Sequence, residues 1–179
     1  MRFGWAKAAT VAGLLALAAC GRGETPQGDF SAELAESARE AEAFLAKNAA
    51  EEGVQTLPSG LQYKVLQSGP AGGVQPDSND LVKVDYEGAL IDGTVFDSSF
   101  AKGRPFVTSP ENVVPGWTEA LQLMRPGDEW MVYVPPALGY GEMGGPPRIP
   151  GNAALVFRIQ MLDVAPITGG TRGVGQAAG

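Results

Sequence analysis

In the stretch "DGTVFDSS", residues 92–99, a large apolar Phe96 stands directly beside an acidic Asp97, and two serines follow. An Asp-Gly pair ahead of alternating residues signals a hairpin, because a two-residue type I′ turn needs positive φ at both central positions. Strand neighbours point to opposite faces, so a half-buried strand would take Phe96 inward and leave Asp97 in solvent. The same pair can also be two walls of a binding site. The rest of the inventory narrows the chemistry such a site can perform. The chain has no histidine and a single cysteine, Cys20, so the commonest acid–base group and the commonest metal ligand are missing. Ser-His-Asp and Cys-His hydrolases are excluded, and a zinc site would have only carboxylates and Cys20 to draw on.

Before that cysteine, Arg2 and Lys7 form a short basic segment, and Ala8 to Ala19 an apolar run shorter than a membrane span. The run closes on "LAAC", Leu17 to Cys20, followed by Gly21. Small residues before a lone cysteine resemble a bacterial lipobox, with residues 1–19 as signal peptide and Cys20 lipidated. The competing reading is an ordinary signal peptide with an incidental cysteine. Either way the expected location is the bacterial envelope. Arg22 stands where an aspartate would hint at retention in the inner membrane, so the periplasmic side of the outer membrane is favoured. One cysteine allows no internal disulfide, so the exported domain relies on its core. Loss of Arg2 and Lys7 takes the formal charge from −7 to −9. No basic stripe is left to neutralise phosphates, which argues against a nucleic-acid partner.

These residues need elements to hold them. Residues 20–30 read as a Gly/Pro-rich tether. From Ser31 to Gly53 the chain is nearly all strong helix formers ending on a glycine. Leu34, Ala38, Ala41 and Leu45 repeat along one stripe with Phe44 beside it. The stripe reads as a linker helix leaning on the main domain, the alternative being a short dimerisation seam. One domain spans residues 54–165, and the tail 166–179 has no apolar period and is expected to be disordered. Within the domain, Leu61/Tyr63/Val65, Val82/Val84/Tyr86, Trp130/Val132/Val134 and Leu155/Phe157/Ile159/Met161 alternate as the inner faces of strands. "PGWTEALQLMRPG" instead repeats Trp117, Leu121 and Met124 at helical spacing between two Pro-Gly breaks. Glu51-Glu52 and Asp128-Glu129 read as solvated surface. The pattern predicts an α+β fold, with one short helix covering a curved antiparallel sheet and a linker helix ahead of it.

"VDYEGALIDGTVFDSS", "GRPF", "VVPGWTEALQLMRPGD", "YVPPALGYG" and "IPGNAALVFRIQMLDV" fall in this order over residues 84–164, within a collinear match that covers about residues 58–164. Together they resemble the FKBP-type peptidyl-prolyl cis–trans isomerases. "FLAKNAAEEGVQTLPSGLQYKVLQSG" further resembles the exported Mip-like subgroup, in which a long N-terminal helical region dimerises the enzyme. Only the last stretch of such a region is present here, so a monomer is expected. The resemblance implies a twisted antiparallel sheet wrapped round a short helix, with an aromatic pocket between them. Trp117 would be its floor, Tyr86, Phe106 and Phe157 its walls, and Phe96, Val113 and Val114 further lining. The Tyr140 hydroxyl and the Ile149 backbone N–H would be donors to substrate, and Asp97 would orient the rim and shape the field. Gly145 falls where many members carry a histidine. The implied activity is rotation of X-Pro bonds in folding envelope proteins, with neither cofactor nor metal. Macrolide immunosuppressants would inhibit it. The alternative is a chaperone or peptide-binding module using the same groove.

Overall fold

The computed structural model describes residues 30–169. The leader, Cys20, nearly all of the tether and the tail beyond Gly169 lie outside the described residues. Helix α1 runs Phe30–Asn48, shorter than the expected 31–53. After Asn48 the hydrogen bonds tighten to i−3 spacing (Ala50 N–H to the Lys47 carbonyl, Glu51 N–H to that of Asn48), and Gly53, at φ 81°, reverses the chain into the sheet.

The sheet contains β1 (Val54–Thr56), β2 (Gln62–Gln67), β3 (Leu81–Leu90), β4 (Val95–Ser98), β5 (Phe106–Thr108), β6 (Glu129–Val134) and β7 (Leu155–Ala165), with every pairing antiparallel. Its order is β1-β2-β6-β7-β3-β4, and β5 shares the outer edge of β3 with β4. Strict alternation in β3, β6 and β7 puts Val82, Val84, Val132, Val134, Leu155, Ile159 and Met161 into full burial, as their spacing predicts. Helix α3 (Pro115–Leu123) lies on this face and buries Trp117, Ala120 and Leu121, with Met124 fully buried at its C-cap. One core results, closed by sheet and helix.

The C-terminal end of α1 is fastened to the start of β2. Ala41 is buried, and Asn48 Nδ2 donates to Gln62 Oε1 at 2.8 Å while Gln62 Nε2 donates to the Leu45 carbonyl at 2.9 Å. The alanine-rich stripe is thus turned onto the domain.

Three local expectations are corrected. The 92–93 hairpin is not type I′. Among non-glycine described residues positive φ occurs at Asn152 alone, so Asp92 is not left-handed, and the turn spans Ile91–Gly93 with only Gly93 at positive φ. The Asp92 carboxylate accepts from Thr94 N–H at 2.8 Å and stabilises this wider turn. Asp128 is not solvated surface. It is 7% exposed, and its two oxygens accept from Gly69 N–H and Arg125 N–H at 2.6 and 2.8 Å, fastening two turns together. Glu129 is mostly covered and pairs with Arg158 at 2.6 Å. The start of the tail is also tied down, because Ile167 N–H donates to Asp80 Oδ1 at 2.6 Å.

Candidate active site

The cleft is built where the edge of β3 changes partner. Glu87 to Ala89 pair with β4 and Val82 to Val84 with β5, and the chain between them leaves the sheet as α2 (Ser99–Lys102) and a short turn. That four-residue helix escapes the sequence reading, although "SSFAKG" carries its signals. Ser98 caps it by accepting from Ala101 N–H, and Gly103, at φ 66°, ends it. The excursion opens a cleft of about 860 Å³ between α3 and the sheet.

Nine of the ten expected residues line it: Tyr86, Phe96, Asp97, Phe106, Val113, Val114, Trp117, Tyr140 and Phe157. The question raised by Phe96 and Asp97 is settled by a bulge. Ala89 faces Val95 and Gly88 faces Asp97, so Phe96 is an extra residue with none opposite it on β3. A bulge suspends strand alternation locally, and here both side chains reach the cleft.

The aromatic rings meet edge to face. Trp117 lies 5.1 Å from Tyr86 and 5.2 Å from Phe157 between centroids, Phe157 lies 5.6 Å from Phe96, and Tyr86 lies 5.8 Å from Phe106. Such pairs prefer this geometry because a positive ring edge meets a negative face. Gly88, absent from the expected set, makes the packing possible. A Cβ there would stand 2.6 Å from the Phe157 ring and 2.8 Å from that of Phe96.

Asp97 is held on both oxygens. The Tyr86 hydroxyl donates to Oδ2 at 2.6 Å, Ser98 N–H donates to Oδ1 at 2.9 Å, and Lys102 Nζ lies 2.5 Å from Oδ1. Burial alone would raise the Asp97 pKa, but the hydrogen bonds from Lys102 and Tyr86 and the lysine charge outweigh it, so the carboxyl lies below its usual range. Tyr86 is pushed up, first by burial and then by the bond and charge of Asp97. Lys102 is pushed up chiefly by its bond to Asp97. Lys102, with Ser99, Arg104, Pro105, Val107 and Asn112, completes the lining unforeseen from sequence.

Ile149 departs from expectation. It is 8% exposed in the core and outside the cleft lining, and its N–H is occupied by the Gly145 carbonyl at 3.0 Å. Gly145 lies outside the lining too and closes the rim loop through its backbone, donating to the Ile149 carbonyl at 2.9 Å. The donors left in the lining are of another kind. Tyr140 is 44% exposed and its hydroxyl has no partner among the described residues, and the N–H of Val114 likewise donates to no described acceptor. The Trp117 indole N–H is buried without a partner. Among the described residues there is no cluster of His, Cys, Asp or Glu that could hold a metal.

A curled antiparallel sheet around a short helix, with an aromatic cleft edged by free donors, defines a class of protein whose cleft has the shape and polarity to take an apolar ring. Comparison with known proteins makes the class specific. Residues 72–162 match the FKBP-type peptidyl-prolyl cis-trans isomerase family, and residues 19–65 match the domain amino-terminal to such isomerases. The chain belongs to the FKBP-type peptidyl-prolyl cis–trans isomerase family. It is 50% identical over 128 residues to peptidyl-prolyl cis-trans isomerase Mip of Coxiella burnetii, covering 72% of this chain and 55% of that protein. It is 45% identical over 138 residues to the outer membrane protein MIP of Legionella longbeachae, covering 76% and 58%. The crystal structure of FkpA from Escherichia coli superposes with a TM-score of 0.73 at 38% identity, over 78% of this chain and 64% of that one. The chain thus spans a little over half the length of these two curated relatives.

Proposed function

We propose that this chain catalyses the cis–trans rotation of X-Pro peptide bonds. The observation that carries the reading is a cage of edge-to-face rings around Trp117, edged by the unpartnered Tyr140 hydroxyl. Rotation about a peptide bond faces a barrier of about 18–20 kcal/mol from amide resonance. Before proline both isomers are populated, yet uncatalysed exchange takes tens to hundreds of seconds. No bond is made, so the reaction needs no nucleophile. Seating the prolyl ring on Trp117, between Tyr86, Phe106 and Phe157, strips water from the amide. Water stabilises the planar, charge-separated form, so its removal favours the twisted state. The Tyr140 hydroxyl and the backbone N–H of Val114 are the donors available to the displaced carbonyl. A contact made better in the twisted state than in either planar one lowers the barrier. In this scheme Asp97 fixes the wall through Tyr86 and Lys102 and contributes a fixed negative field.

The substrates are proline-containing extended polypeptides, and macrolide immunosuppressants compete for the cleft. The organisation is a signal peptide over 1–19, a tether lipidated at Cys20, the linker helix, the isomerase domain over 54–165 and a tail. The name of the Legionella longbeachae relative supports envelope association, with the periplasmic face of the outer membrane as the site.

The test is isomerisation kinetics on an X-Pro peptide with the chain from Thr25 onward. Tyr140→Phe loses a bond of about 1 kcal/mol, so kcat/KM should fall somewhat less than tenfold with the fold intact. Asp97→Ala should lower it further, because wall and field change together. Full activity in both variants would remove this cleft from the reaction. A wild type that suppresses aggregation without speeding isomerisation would assign the cleft to holding unfolded chains.

A further inference from the structure

The rim segment from Gly141 to Asn152 closes on itself. Gly145 N–H and Ile149 N–H each donate to the other residue's carbonyl, at 2.9 and 3.0 Å, and Asn152 N–H donates to the Gly141 carbonyl at 2.8 Å. These bonds make the loop a unit but do not fix where the unit sits over the cleft. Side chains do that. Ile149 is sunk in the core, and Asn152 Nδ2 donates to the Leu34 carbonyl of α1 at 3.2 Å. Both anchor the loop at its back. Toward β4, Arg148 Nη1 reaches across 52 residues of sequence and donates to the Phe96 carbonyl at 2.8 Å.

The acceptor matters. Phe96 is the extra residue of the β4 bulge, with no residue opposite it on β3, and its ring and the neighbouring Asp97 form one wall of the cleft. Tyr140 stands immediately before the rim loop and also lines the cleft. A single side-chain bond therefore joins the element that carries the free hydroxyl to the element that carries Phe96 and Asp97.

We propose that Arg148 is a positioning residue of the cleft, latching the rim loop to the Phe96–Asp97 bulge and so setting the gap between Tyr140 and that wall. The inference rests on the isomerase reading for its consequence and on the loop geometry for its existence. Arginine suits the task because its planar fork aims an N–H along a fixed direction, whereas a lysine ammonium rotates freely on a flexible stem.

The test compares Arg148→Met and Arg148→Lys in the full chain. Three quantities are read: kcat and KM separately on an X-Pro peptide, melting temperature, and amide exchange at Gly145 and Ile149. Arg148 is exposed, so Arg148→Met should melt within about 2 °C of wild type. Its kcat/KM should fall about three- to tenfold, the size expected for one lost hydrogen bond, with most of the loss in kcat because binding to the ring cage is intact. Arg148→Lys should recover part of the loss, and exchange at the two amides should quicken in Arg148→Met alone. Wild-type kcat in Arg148→Met overturns the latch. So does a parallel fall of activity and melting temperature in both variants, which marks a merely structural residue. Should wild type itself fail to isomerise the peptide, the isomerase reading is lost and amide exchange decides the latch: faster in Arg148→Met supports it, unchanged overturns it.

Discussion

Asp97 is placed in this cleft as a fixed charge. Both of its oxygens are engaged, and its pKa is held low by Lys102 and Tyr86 against the opposing effect of burial. A carboxyl depressed in the folded state contributes its stabilisation above its unfolded value, near pH 3.9, and loses it as pH falls through the lower folded value. Lys102 and Tyr86 are both raised, so their changes lie above their ordinary values near 10.4 and 10. The chain has no histidine, and none of these three groups titrates in between. The expected kcat/KM profile is therefore flat from about pH 5.5 to about pH 9. A bell or a step inside that interval, in kinetics run at constant ionic strength, would contradict the assignment. Lys102→Met removes the main force that lowers Asp97, so the acid limb of the same profile should move to higher pH.

At the scale of elements, the site depends on irregularities in β3 and its edge partners. The bulge in β4 brings Phe96 and Asp97 to one side, α2 carries Lys102 to the carboxylate, and Gly88 clears the space where two rings lie against the strand. Alternation in "VDYEGAL" makes the strand legible, but nothing in it tells that a Cβ at position 88 would overlap two aromatic rings from elsewhere. Gly88→Ala should therefore displace Phe96 and Phe157 together. Overpacking of this kind costs about 1–3 kcal/mol, and the distorted cage should also raise KM for an X-Pro peptide. A melt and KM equal to wild type would mean that the rings relax freely and that the cage is loose.

For the molecule as a whole, α1 is joined to the domain by polar contacts in a place where they are buried. Asn48 is 8% exposed and its amide faces Gln62, 4% exposed, which also holds the end of the helix. Asn48→Ala leaves the Gln62 oxygen buried without that donor, a loss of about 1–3 kcal/mol. The melting temperature should drop by several degrees while kcat/KM on a short peptide stays near wild type, because the cleft lies elsewhere. With the apolar stripe of α1 spent on the domain, the protein is expected to sediment as a monomer at micromolar concentration. A dimer mass independent of concentration would show that another face of the helix associates. Anchoring is tested separately: Cys20→Ser should abolish lipid labelling and membrane fractionation, and a labelled variant would remove the lipobox reading.

Much of the fold is determined locally. The strand faces, the span of α3 and the turn of α1 toward the domain follow from where apolar residues recur, since burial of one face sets both period and register. The absence of histidine likewise restricts the chemistry before any coordinate is known. The ordered motifs carry the family resemblance, and with it most of the cleft lining. Only the tertiary structure decides the rest, because it depends on atoms far apart in sequence. Ile149 loses its N–H to Gly145, Asp128 is buried as a clamp between two turns, Arg148 finds the Phe96 carbonyl, and Lys102 finds Asp97. Periodicity specifies which way a side chain points relative to its own strand or helix. Whether a donor is free or already satisfied is settled by what the fold brings opposite it.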